Sequence, residues 1–349
     1  MSIDAPGTHG TPAEPDVAVT ISTIAREAGV SVATVSKVVN GRVDVASSTR
    51  LRVEEVIQRY GYRPRRATGA AGPGLLELVF HELDSPWALE IIASVERVAG
   101  QHRMAVVLSE LGGSHRPRQQ WLDEVLQRRP RGVILVQSEL APEQRRQLES
   151  RSIPYVMVDT AGERLPGVPT VGSANWDGGL AATRHLIELG HRRIAMITGP
   201  DDVLCSRARV DGYRSALEQA GIDFDPALIR YGDFYVGGGY DHGRELLARP
   251  DRPTAVFAGS DYTALGVMRA ARELGLRVPE DLSVVGYDNL PVAEWTAPML
   301  TTIDQPLAEM AASATRMVLG LARGEAPASL RIDLATDLVV RESTAPPRA

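Results

Sequence analysis

A chain of 349 residues is long enough for two or three domains, and its apolar share of 44% and charged share of 23% are ordinary for a soluble globular protein. No run of about 18 apolar residues occurs, which argues against a membrane span, and the single cysteine, Cys205, excludes an intramolecular disulfide. The net charge of −6 is uneven, because residues 20–66 hold nine Arg/Lys against four Asp/Glu. A small basic head on a large acidic body points to a nucleic-acid module joined to something else.

Residues 1–18 lack the basic segment and the apolar stretch of a secretory signal, and their Pro, Gly and Ala content reads as a disordered arm. With one cysteine and no export signal, the expected location is the cytoplasm. Ile21, Ile24, Ala25 and Ala28 then recur with the spacing of a short amphipathic helix, with Thr20 as its N-cap and Gly29 as its stop. Ser31 is placed to cap a second helix that runs through Val39 and ends at Asn40-Gly41. So short a turn makes the two helices cross steeply, which is the helix-turn-helix arrangement. A third helix is predicted from about Ser47 to Tyr60, with Leu51, Val56 and Ile57 closing the small core.

Lys37, the only lysine in the chain, lies on the second helix. Val35, Val38 and Val39 form that helix's inner stripe, which leaves Val32, Ala33, Ser36 and Lys37 outward. Small side chains let a helix approach base edges, Val32 and Ala33 can meet thymine methyls, and Lys37 can reach guanine O6 or N7.

The stretch TIAREAGVSVATVSKVVNG, followed by STRLRVEEVIQRYGYRP, resembles the DNA-binding head of the lactose repressor (LacI/GalR) family of bacterial transcription factors, almost without gaps from Val19 to Pro64. The resemblance implies that Ser31 and Thr34 touch phosphates while Val32, Ala33 and Lys37 read bases. Asn40, Arg63 and Arg65 join the expected DNA-binding set. Family members usually continue with a hinge helix whose leucine wedges into the minor groove. The corresponding run here, RRATGAAGPG at residues 65–74, has no leucine and carries helix-weakening Gly69, Gly72 and Pro73, so a flexible linker is at least as expected.

From Leu75 onward short apolar runs alternate with amphipathic helices. Strands are predicted at 76–80, 104–108, 132–136, 155–158, 194–198, 255–258 and 283–286. Such runs separated by helices mean parallel sheets covered on both faces, with ligands beyond the carboxyl ends of the strands. HLIELGHRRIAMITGP (185–200), ALGVMRAARELGLRVPEDLSVVGYDN (264–289) and PMLTTIDQP (298–306) are similar to the family's effector core. The fold implied is an all-α helix-turn-helix head joined to an α/β body, a two-lobed core like a periplasmic sugar-binding protein. The N-lobe is expected at about 75–173 and 305–334, and the C-lobe at about 174–304 and 335–345.

By the same resemblance Arg209 and Asp288 match positions that bind the effector's hydroxyls, and Gln305 sits at a lobe crossover. Trp87, Trp176 and Phe234 are the aromatic platforms expected to stack on a sugar. Ser260 stands where many members have a ligand-binding Asn, and Ala174 where many have Asp. The sequence also has no G-x-x-x-x-G-K-[ST], G-x-S-x-G or H-E-x-x-H, and GGGYDHG misses the dinucleotide-binding spacing. No metal-ligand pairing of histidines and no cofactor motif is seen. The expected function is a DNA-binding repressor, not an enzyme, whose homodimer binds near-palindromic double-stranded operator DNA and responds to a small carbohydrate, with xylose or a plant-derived oligosaccharide as the guess. The competing readings are a sugar-processing enzyme on the same α/β core and a DNA-binding protein with a non-responsive body.

Overall fold

The computed structural model describes residues 19–39, 45–62, 74–83, 85–161 and 165–348. The expectations for the arm, for Asn40, Arg63 and Arg65, and for the linker up to Pro73 fall outside these residues.

The head is built from α1 (Ile21–Ala28), α2 (Val32–Val39) and α3 (Ser47–Arg59). Thr20 caps α1 by accepting the Thr23 N–H, and Gly29 stops it with φ +64°, a conformation that costs glycine least. Ser31 caps α2 through the Thr34 N–H at 3.1 Å, a bond contributing about 1 kcal/mol. Ile24, Ala28, Val35, Val38, Val53, Val56 and Ile57 are buried together. The third helix departs from expectation in one respect: Leu51 is half exposed, and Val53 takes the inward position. Val53, Val56 and Ile57 share a helical face, whereas Leu51 stands two residues from Val53 and therefore on another side.

The body folds as two six-stranded sheets. Its elements in chain order begin with β1 (Gly74–Phe80), α4 (Pro86–Gln101), β2 (Met104–Glu110), α5 (Gln119–Arg128), β3 (Gly132–Val136), α6 (Pro142–Ser150), β4 (Tyr155–Val158) and β5 (Thr170–Ser173). Next come α7 (Asn175–Glu188), β6 (Ile194–Thr198), α8 (Leu204–Gln219), β7 (Ile229–Tyr231), α9 (Val236–Leu247), β8 (Ala255–Ala258), α10 (Asp261–Glu273), β9 (Ser283–Asp288), α11 (Val292–Trp295) and β10 (Thr301–Asp304). The chain then returns through α12 (Leu307–Arg323) and β11 (Arg331–Leu334) to β12 (Asp337–Val339).

The first sheet has the order β11-β5-β4-β3-β1-β2 and the second β12-β10-β9-β8-β6-β7. All pairings are parallel except β12 on β10. Residues of β3, β4, β6 and β8 are buried throughout, as strands covered by helices on both faces must be. In each sheet the strand order reverses beside the first strand, β1 or β6, and such a switch point opens a crevice at the carboxyl ends.

In the second sheet's layer, helices meet backbone to backbone. A methyl group on Gly179 of α7 would run into the Arg209 carbonyl of α8, and one on Gly212 of α8 would run into the Trp176 carbonyl of α7. Gly239 of α9 and Gly266 of α10 repeat this arrangement.

Candidate functional site

In the head, Val35 and Val38 turn inward, while Val32, Ala33 and Lys37 form an exposed stripe on α2. The Ser31 and Thr34 hydroxyls lie 2.8 Å apart at its N-terminus, so the cap itself holds them on the helix-entry side. Tyr60 donates to Glu27 at 2.9 Å and ties the end of α3 back to α1.

In the body, the carboxyl ends of both sheets contribute to one cleft holding about 730 Å³ of space, part of it open to solvent. His81 and Glu82 follow β1, Gln137 follows β3, Ser260 follows β8, and Asp288 closes β9. Trp87, Phe234 and Tyr262 supply aromatic walls, and Arg209 and Cys205 reach in from α8. The structure thus brings together Trp87, Arg209, Phe234, Ser260 and Asp288.

Arg209 is buried and already engaged. Its Nε donates to Asn175 Oδ1 at 2.8 Å and its Nη1 to the Gly259 carbonyl at 2.5 Å, and the guanidinium lies 3.6 Å from the centre of the Tyr287 ring. Asp288 is equally buried, yet its carboxylate accepts no hydrogen bond from any described residue. Burial pushes its pKa well above the carboxylate range; Arg209 pulls it down, and Asp261 and Asp159 push it further up. Asp288 has φ +106°, a backbone setting that holds its side chain off the strand's own register. The Cys205 thiol is pushed up to about 11 by burial and stays protonated.

Two expected site residues stand elsewhere. Trp176 lies on the first turn of α7 and faces a separate hollow lined by Asp177, Leu204, Ala208 and Arg331. Asn175, the first residue of the same helix, instead turns its side chain inward to accept from Arg209. Gln305 is buried beneath the cleft rather than lining it. Its amide nitrogen donates to Asp159 and Ser173, both at 2.9 Å, and its oxygen accepts from Trp87 Nε1 at 3.3 Å. Gln305 therefore fixes the indole that faces the cleft. Ser260 is spent as well: its hydroxyl donates to the Phe234 carbonyl at 2.7 Å and caps α10.

Sequence reasoning missed Glu82 and Tyr235, which meet from the two sheets' loops in a 2.9 Å hydrogen bond. It also missed His81, Gln137 and Tyr262. A signal existed for His81, Glu82 and Gln137, since they directly follow strands predicted to end at 80 and 136. None existed for Tyr235.

Asp261, beneath Asp288, accepts from Thr302 Oγ1 at 2.5 Å and from the Leu290 N–H at 2.7 Å. Burial nevertheless raises its pKa to about 7. A carboxyl with a raised folded pKa binds its proton more tightly when folded. Its contribution to stability is complete below the unfolded value near 4 and is lost as pH climbs toward 7, with a slope of at most about 1.4 kcal/mol per pH unit. Asp261→Asn is expected to flatten that decline in urea melts between pH 4.5 and 7.5. An unchanged slope would show that Asp261 is ionised across that range.

Comparison with known proteins places this geometry. A family model described as bacterial regulatory proteins, lacI family, matches residues 20–65, and one described as a periplasmic binding protein-like domain matches 183–344. The transcriptional regulator CelR of Thermobifida fusca is 36% identical over 337 residues, covering 93% of this chain and 98% of the relative. The chain belongs to the LacI family of bacterial regulatory proteins. Among solved LacI-family structures, a CelR–cellobiose complex aligns with a TM-score of 0.71 at 36% identity, covering 93% of this chain and 99% of that one. A lac repressor dimer bound to operator and the anti-inducer ONPF aligns with a TM-score of 0.69 at 29% identity, covering 94% and 99%. These similarities span head and body together. Among the described residues of this LacI-family chain, no group of His, Cys, Asp or Glu could hold a metal ion, and no helix is long and apolar enough to cross a membrane.

Proposed function

We propose that this protein is a cytoplasmic repressor of carbohydrate-utilisation genes whose hold on its operator is controlled by a small sugar in the cleft. The observation that carries the reading is the presence in one chain of an exposed Val32-Ala33-Lys37 stripe on a helix-turn-helix and a cleft with a buried, unpartnered carboxylate. In this reading Val32 and Ala33 meet thymine methyls, Lys37 reads guanine, and Ser31, Thr34, Asn40, Arg63 and Arg65 hold the backbone. One head covers only a few base pairs, so two heads of a homodimer read a near-palindromic site. The CelR structure holds cellobiose, which supports a sugar here, with xylose or a plant-derived oligosaccharide as the working candidate.

Trp87 and Phe234 would lie against the sugar's C–H faces while Asp288 and Arg209 take its hydroxyls. A ligand shifts the protein between two states only by its differential affinity, and coupling of about 1–3 kcal/mol changes operator affinity roughly 5- to 150-fold. The test is operator titration with and without a sugar found by thermal-shift screening, since a ligand of the folded state raises its melting temperature. Release of operator in that range is the expected result; a saturable sugar that leaves operator affinity untouched would refute the proposal.

A further inference from the structure

We infer that the hollow beside Trp176 is a second carbohydrate site, distinct from the cleft, that takes one neutral sugar ring. It holds about 1150 Å³ of space, part of it open to solvent. The carboxyl edge of the first sheet serves both openings. The ends of β1 and β3 reach the cleft, and those of β4, β5 and β11 reach the hollow through Asp159, Ser173 and Asp333. Between the two stands the start of α8, where Leu204 and Ala208 border the hollow, Arg209 borders the cleft, and the buried Cys205 borders both. Each side of that wall is given its own ligand.

The lining has the chemistry of a sugar seat. Trp176 is 40% exposed there, so an indole face is open to the apolar C–H face of a ring. Hydroxyl groups both donate and accept, and the hollow meets them in both senses. Asp177 and Asp333 present carboxylate oxygens that accept. Helix α7 opens at Ala174 without a side-chain cap, which leaves first-turn N–H groups to donate to sugar oxygens. An anion fits less well. Arg331 already donates through Nε to Asp333 at 2.6 Å, and Asp177 places a carboxylate on the first turn of α7, where an anion would otherwise gain from the helix dipole.

The experiment is fluorine NMR of the full chain carrying fluorotryptophan at its four tryptophans, each resonance assigned by a Trp→Phe variant. The probes are xylose, xylobiose, glucose, cellobiose and inorganic phosphate. At least one sugar is expected to move the Trp176 resonance saturably, with a millimolar midpoint because a single platform open to solvent binds weakly. Asp177→Asn, an exposed and nearly isosteric change, is expected to raise that midpoint about 10-fold. Asp288→Asn, across the wall, is expected to leave it within about 2-fold. A Trp176 resonance that no sugar moves overturns the inference, as does a midpoint that Asp177→Asn leaves unchanged. It is overturned equally if the Trp176 and Trp87 resonances move together and both fall still in Asp288→Asn, because the hollow would then only report on the cleft. Phosphate moving the Trp176 resonance as far as the sugars do would overturn it by assigning the hollow to anions. A Trp176 resonance that moves while Trp87 stays still upholds the second site and removes the sugar reading of the cleft.

Discussion

Arg209→Ala is expected to lower the stability of the folded chain by about 3 kcal/mol or more, whereas Asp288→Asn is expected to leave it unchanged or raise it. The two side chains line the same cleft, but their energetic positions are opposite. Removing the guanidinium strands Asn175 Oδ1 and the Gly259 carbonyl without donors in a buried setting. It also uncovers the Tyr287 ring and takes away the cation that lowers the Asp288 pKa. Replacing Asp288 by asparagine instead deletes a buried carboxyl whose ionisation burial opposes and that no described residue hydrogen-bonds. Asparagine also tolerates positive φ better than most residues, which suits the value of +106° there. Urea denaturation at neutral pH reads both effects as midpoint shifts at constant slope. Equal losses in the two variants would show that Asp288 has a structural partner after all. Both variants are expected to lose the sugar response, but only Asp288→Asn reports on the ligand without an accompanying loss of fold.

Lys37→Ala is expected to cost about 1–3 kcal/mol on the specific operator and to relax preference at one base pair in each half-site. The head should survive the change. Lys37 is exposed, the core residues Val35 and Val38 lie on the opposite face, and alanine is a better helix former than lysine. Anisotropy titrations on operator and on random duplex, over a series of salt concentrations, separate base reading from phosphate attraction. If affinity for both duplexes fell by the same factor, the lysine would be a phosphate contact and the base-reading role would be lost.

Strands made of Val, Ile, Leu and Met were legible because burial on both faces leaves no room for polar side chains. The strands that escaped notice are the polar ones. β10, with its Thr301-Thr302 pair, is a buried inner strand, and its polarity is satisfied by partners far away in sequence: Thr302 donates to Asp261, and the Thr301 backbone N–H donates to the Ser343 hydroxyl oxygen. β5 and β11 are short and partly polar, and their pairing with each other appears only when the chain has crossed between sheets twice.

The same distance in sequence hid part of the cleft. Trp87 and Trp176 look alike in the sequence, each in the first turn of a helix, yet only Trp87 faces the cleft. What separates them is a neighbour: Asn175 turns inward ahead of Trp176, and Gln305, 218 residues from Trp87, pins the other indole. The Glu82–Tyr235 bond joins residues 153 apart on different sheets, and no periodicity marks such a pair. Arg209 and Asp288 were named from the resemblance to the family, and the structure places both in the lining of the same cleft.

The glycine contacts between α7 and α8 bear on how far a small movement travels. Where two helices touch through side chains, a rotamer change can absorb a displacement before it reaches the partner. Gly179 and Gly212 leave no such cushion, because backbone lies on backbone in both directions. Arg209 rides on α8, its Nε is bonded to Asn175 on the first turn of α7, and Ser173, at the end of β5 just ahead of that turn, is bonded to Gln305. Arg209 is thus joined, through Asn175 and the close-packed α7 and α8, to the strand crossing between the two sheets at Ser173 and Gln305.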